Sequence, residues 1–178
     1  KPRASFGGGD EGLIDFFHRQ LAEVVRERYL ADNNRRQAGH RVLMRYFREK
    51  ADPRQDSTWA GDSRGLSELP YHQGGAGCWE DYEISLTDLA FLDAKCQKGM
   101  AAGLLRDYDL VATATTQHSA SARFAAFAEF VRDEFENLLR YPLITYQQAA
   151  NQPADSAVAE AAHRDLSLRR ESRPWWRW

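Results

Sequence analysis

Apolar residues along this chain return at steps of three and four with charged residues between them, the spacing that gathers side chains on one face of an α-helix. The clearest run is Phe124, Phe127, Val131, Phe135 and Leu138, which predicts the longest helix of the chain, over residues 121–140. A half-buried strand repeats every two residues and could not produce it. Leu13, Phe17, Leu21 and Val24 predict a helix over residues 15–30, with Asp15 near its start to satisfy free amides and Asp32-Asn33-Asn34 ending it. Another, over residues 35–50, places Leu43, Tyr46 and Phe47 on one stripe. It stops at Asp52-Pro53, because proline has no amide donor and restricts the residue before it. Residues 54–61 are polar apart from Trp59 and read as a loop.

Asp62 or Ser63 can cap a helix carrying Leu66, Leu69 and Tyr71, which Pro70 must kink or shorten and Gly74-Gly75-Ala76-Gly77 terminates. Trp79, Tyr82, Glu83 and Leu86 then share a face, and Leu89, Leu92 and Cys96 another, giving two short antiparallel helices. Beyond Gly99, a helix over residues 100–113 points Leu104, Leu105, Tyr108 and Val111 the same way. After Tyr141-Pro142, Thr145 can cap a short helix reaching residue 150, and Asp155 or Ser156 can start a last one reaching residue 169. Residues 1–12 contain Gly7-Gly8-Gly9, which cannot hold a regular element cheaply, and read as a loop. No stretch alternates in the strand manner. The expected fold is all-α: stacked antiparallel helix hairpins, as a helical bundle or short α-solenoid.

At 178 residues the chain is long enough for one or two modest cores. Its 24 Lys and Arg against 26 Asp and Glu leave a formal charge of −2, which disfavours nucleic acid and anionic membranes as partners. The cationic pairs Arg35-Arg36 and Arg169-Arg170 read as solvated helix ends. Two cysteines, no signal peptide and no membrane-length apolar run point to the cytoplasm. The chain starts on Lys1 and ends on Trp175-Trp176-Arg177-Trp178, which reads as a segment of a larger protein.

Candidate chemistry is sparse. The phosphate-binding pattern GxxxxGK[ST] does not occur, and Gly7-Gly8-Gly9-Asp10 lacks both the lysine and a preceding apolar strand. His72, Cys78, Cys96 and His118 are the conceivable zinc ligands, but none of their spacings matches the close pairs of structural zinc sites, so no metal is expected. Cys96 reads as a small core residue. The carboxylates Glu80-Asp81, Asp107 with Asp109, and Glu134 with Glu136 are one or two apart, do not face each other on a helix, and read as solvated charge. Ser119 and Ser121 beside His118 read as a helix start rather than an activated nucleophile. His18, after Phe16-Phe17 at the start of an amphipathic helix, could offer an imidazole N–H to a phosphate, or be a partly buried structural histidine. The segment is thus expected to be non-catalytic.

The run Gly12-Leu13-Ile14-Asp15-Phe16-Phe17-His18-Arg19-Gln20-Leu21 resembles the last winged-helix helix of STAND ATPases, the class of apoptosome and NACHT proteins. Leu66-Ser67-Glu68-Leu69-Pro70-Tyr71-His72, Ala76-Gly77-Cys78-Trp79 and Leu86-Thr87-Asp88-Leu89-Ala90-Phe91-Leu92-Asp93-Ala94-Lys95-Cys96 resemble the helical region that follows it. Tyr141-Pro142, Gln147-Gln148-Ala149-Ala150-Asn151-Gln152-Pro153 and Arg173-Pro174-Trp175 resemble the run before the propeller in bacterial NACHT-WD40 members. The resemblance implies that residues 1–34 are the end of a winged helix and residues 35–178 a helical domain leading to a WD40-like domain. It implies a regulatory scaffold that couples a nucleotide switch to a sensor; the alternative is a free-standing helical interaction domain. The implied partners are the flanking domains of the same chain, with oligomerisation on activation. The implied nucleotide, ATP or ADP, belongs to the parent protein, with no cofactor in this segment. His18 falls at the family's phosphate-sensing histidine, but His18-Arg19 stands where the family carries His-Asp, which removes the supporting aspartate.

Overall fold

The structure is a computed structural model and describes residues 23–24, 27–28, 32–114 and 120–167. Most of the helix expected over residues 15–30, with His18, lies outside the described residues, as do His118 and the tryptophans at residues 175–178. Among the described residues every regular element is helical, in keeping with the all-α reading.

The helices are α1 (Asn33–Ala51), α2 (Ser63–Gly75), α3 (Trp79–Leu86), α4 (Leu89–Gln97), α5 (Ala101–Ala114), α6 (Ala122–Asp133), α7 (Phe135–Arg140), α8 (Thr145–Ala150) and α9 (Ala157–Ser167), with a 3₁₀ turn at Pro142–Ile144 before α8. Short acidic and hydroxyl side chains start most of them. Asp32, Asp62 and Asp88 accept backbone N–H groups at the starts of α1, α2 and α4, and Ser121 and Ser156 do so for α6 and α9. Gly99 ends the turn after α4 at φ +71, a left-handed conformation that any side chain would strain.

A single apolar cluster runs from Phe47 on α1 through Leu66, Tyr82, Leu92, Tyr108 and Phe127 to Ala162 on α9. Every helix but the marginal α7 buries several residues in it, so the two ends of the segment share one core.

Four local expectations change. The helix expected as one piece over residues 121–140 is two, α6 and α7, parted at Glu134, where φ −92 and ψ 6 leave the helical region. The side-chain periodicity survives the break, so spacing could not reveal it. The longest described helix is instead α1, with 19 residues. On α1, Leu43 and Tyr46 do not share the buried stripe; they are 42% and 50% exposed, while Phe47 and Ala51 are buried. The reason lies in the crossing: a Cβ on Gly65 of α2 would sit 2.5 Å from the Ala51 amide nitrogen, so backbones meet there and turn the His40, Met44, Phe47 and Ala51 side of α1 inward. Of the kink or shortening expected at Pro70, the shortening does not occur, since α2 continues five residues past it to Gly75. Thr145 is the first residue of α8 rather than its cap, and its hydroxyl donates to the Pro142 carbonyl at 3.3 Å.

Candidate functional site

Buried polar ties cross four seams of the apolar core, α2–α3, α3–α5, α4–α5 and α8–α9, and together they form the most specific feature of the molecule. Lys95 on α4 and Asp107 on α5 make a buried ion pair and hydrogen bond, with both side chains almost fully removed from water. The Tyr82 hydroxyl of α3 donates to the Asp107 carbonyl, and the Tyr108 hydroxyl of α5 donates back to the Leu86 carbonyl of α3 at 2.6 Å. On α2, Gln73 donates through Nε2 to the Asp81 carbonyl at 3.0 Å and to Ser85 Oγ at 2.8 Å. At the far end, the Tyr146 hydroxyl of α8 donates to the fully buried Asp165 of α9 at 3.3 Å. In low dielectric these bonds are directional where apolar contacts are not, so helices can neither slide nor rotate without stranding a polar group.

Trp59 anchors the loop between α1 and α2. It is buried, its Nε1–H donates to Asp88 Oδ2 at 2.9 Å, and its ring meets Phe91 edge-on at 4.8 Å. Asp88 therefore does two jobs, because its Oδ1 also accepts the Ala90 amide and starts α4. Gln55, Ser57 and Trp59 all have φ between 53 and 58, unusual for residues with side chains and held here by the Trp59 anchor.

The electrostatics follow burial. Desolvation, then the Asp107 and Asp109 charges, push the Tyr82 hydroxyl far up, and burial does the same to Tyr108. Burial raises the Cys96 thiol to about 11, against a smaller lowering by its hydrogen bond to Thr145. These groups keep their protons near neutrality and act as donors, not as acids or nucleophiles.

Of the conceivable zinc ligands, Cys96 is buried, Cys78 half-buried in the turn after α2, and His72 packs against His40 of α1. Among the described residues, no group of three or more His, Cys, Asp or Glu could hold a metal ion. Glu80 and Asp81 are exposed, as expected of solvated charge. Asp107 overturns that reading: it is 5% exposed, whereas Asp109, two residues on, is on the surface beside Arg132. A signal for the buried pair exists in the sequence. Lys95 stands three residues after Leu92 and Asp107 three after Leu104, both on apolar helical steps, and one positive and one negative charge on successive apolar faces is what a buried pair requires. His18, the sensing candidate, lies outside the described residues. No described helix is long and apolar enough to cross a membrane.

The sequence profile of the APAF-1 helical domain matches residues 37–170. Telomerase protein component 1 of Rattus norvegicus is 29% identical over 142 residues, and that of Mus musculus 28% identical over 145. Each match covers 78% of this chain but only 5% of the relative's length. No solved structure matches the chain.

Proposed function

Because the chain belongs to the APAF-1 helical domain family, we propose that it is a non-catalytic scaffold segment of a STAND-type signalling ATPase, coupling a nucleotide switch on its N-terminal side to a sensor domain on its C-terminal side. The observation that carries this reading is the continuous core from α1 to α9, with buried polar bonds joining α3, α4 and α5 and joining α8 to α9. A body of that kind moves as a unit, so a displacement imposed at one end is delivered at the other rather than absorbed. ADP in the parent protein would favour a closed arrangement and ligand sensing an open one, a shift between two populations. The partners in this reading are the flanking domains, a WD40-like propeller among them, and His18 is the residue of this chain to which we assign the reading of the nucleotide phosphate.

Two measurements test it. The parent gene should carry GxxxxGK[ST] before this segment and Trp-Asp repeats after it. In the purified parent, hydrogen exchange within α3, α4 and α5 should stay unchanged between the ADP and ATP forms while the segment's boundaries change, and His18→Ala should weaken ADP binding. Absence of a nucleotide-binding domain upstream would end the proposal. A second reading, an interaction module that works without a nucleotide switch, is favoured by Val42, Leu43 and Tyr46, exposed together on α1; it requires that this face bind a partner in a parent lacking the phosphate-binding motif.

A further inference from the structure

Two histidines meet across the seam between α1 and α2. His40 Nδ1 and His72 Nδ1 are 2.9 Å apart, with ring centroids separated by 5.0 Å. At that distance one nitrogen carries the hydrogen and the other its lone pair, so the contact holds when the two rings share at most one added proton. His72 is buried, its ring stacked on Phe47 at 5.2 Å, and its Nε2 is 4.0 Å from a Glu68 carboxylate oxygen. His40 is clamped from the other side, since the α-carbon of Gly75 leaves no room for even a Cβ, which would lie 2.6 Å from the imidazole. The packing encloses the His72 ring, while the His40 ring is partly exposed and rests against Gly75.

From this geometry we propose that the His40–His72 contact is an acid-sensitive clasp, which joins α1 to α2 near neutrality and opens when both imidazoles are protonated. The charges around it set the order of events. Glu68, on α2, sets a carboxylate oxygen 4.0 Å from His72 Nε2, a counter-charge for a protonated His72 that donates Nδ1–H to a neutral His40. Burial, then the Arg36 cation on α1, hold His40 below the ordinary imidazole range. Tyr71 sets its ring edge against both histidines, and Arg64 lies over the Phe47 ring behind His72. The second proton must therefore enter a site that already holds one cation and faces Arg36. Two like charges at contact distance replace a hydrogen bond, and α1 is pushed from α2. The sign follows: the unfolded histidine takes its proton before His40 does, so the clasp weakens as pH falls below the ordinary histidine range and is intact above it.

The test uses the whole chain, and no nucleotide, so it succeeds or fails independently of the proposed role in an ATPase. Hydrogen exchange of α1 amides, taken as a ratio to α5 amides to cancel the intrinsic pH effect, should show protection lost by about threefold or more between about pH 7.5 and pH 5. His40→Gln, which keeps a polar group but cannot titrate, should make the ratio flat. An unchanged ratio in the wild type, or the same loss in His40→Gln, overturns the clasp. Should that variant fail to fold, ring nitrogen shifts of the wild type decide: the second protonation should fall well below the first and coincide with loss of α1 protection, and two rings titrating independently in the ordinary range refute it.

Discussion

Asp107→Asn is the sharpest probe of how this helical segment holds its shape. The side chain keeps its size but loses its charge, leaving the Lys95 ammonium buried without a carboxylate; the two residues are 1% and 5% exposed. Breaking one partner of a buried pair costs about 3–5 kcal/mol, a large share of the roughly 5–15 kcal/mol that stabilises a domain. With a urea slope of about 2 kcal/mol per molar, the unfolding midpoint should fall by about 2 M. The control is built into the same helix. Asp109 pairs with Arg132 at 3.4 Å, but the two side chains are 65% and 51% exposed, so Asp109→Asn should cost no more than about 1 kcal/mol. The double variant Lys95→Met with Asp107→Leu removes both charges and should recover most of the loss, since apolar residues of similar volume replace a buried pair at little cost. Urea unfolding followed by far-UV circular dichroism measures all three. Equal losses for Asp107→Asn and Asp109→Asn, or a double variant as unstable as the single, would refute the assignment of burial as the deciding term.

Glycines make the next contrast: Gly65→Ala drives a methyl against the α1 backbone at Ala51 and should cost about 1–3 kcal/mol, whereas Gly39→Ala meets nothing within 4 Å and should raise Tm by gaining up to about 1 kcal/mol of helix propensity. Trp59→Phe keeps most of the apolar contact but deletes the donor to Asp88, so a loss of about 1–2 kcal/mol in thermal unfolding is expected, and no loss would show that the bond contributes nothing. With its thiol raised to about 11 and buried, Cys96 should resist iodoacetamide in the native chain near pH 8 while Cys78 reacts, as read by peptide mass spectrometry. Equal labelling of the two would mean that α4 opens readily.

Helix identity and helix order were written in the sequence, because apolar spacing and capping residues act within one or two turns. Leu89, Leu92 and Cys96 predict a buried face and are buried; Asp62 and Ser121 stand where caps are needed and serve as caps. The same local rules mark Pro142 and Gly99 as boundaries. Partner-dependent facts were not written there. Whether Leu43 or Met44 faces inward is decided by where α2 crosses α1, and that depends on a backbone contact between Gly65 and Ala51, which lie on different helices. Whether a charge is solvated or buried is decided by a residue on another helix: apolar spacing makes Asp107 eligible for burial, but only the packing of α4 on α5 sets Lys95 against it, while Asp109 stays on the surface beside Arg132. His40 and His72, 32 residues apart, carry no mark of each other, and only the packing of α1 on α2 brings their nitrogens into contact. Local periodicity reads one chain neighbourhood at a time, whereas burial and pairing are properties of two, so the elements were legible and the ties between them were not.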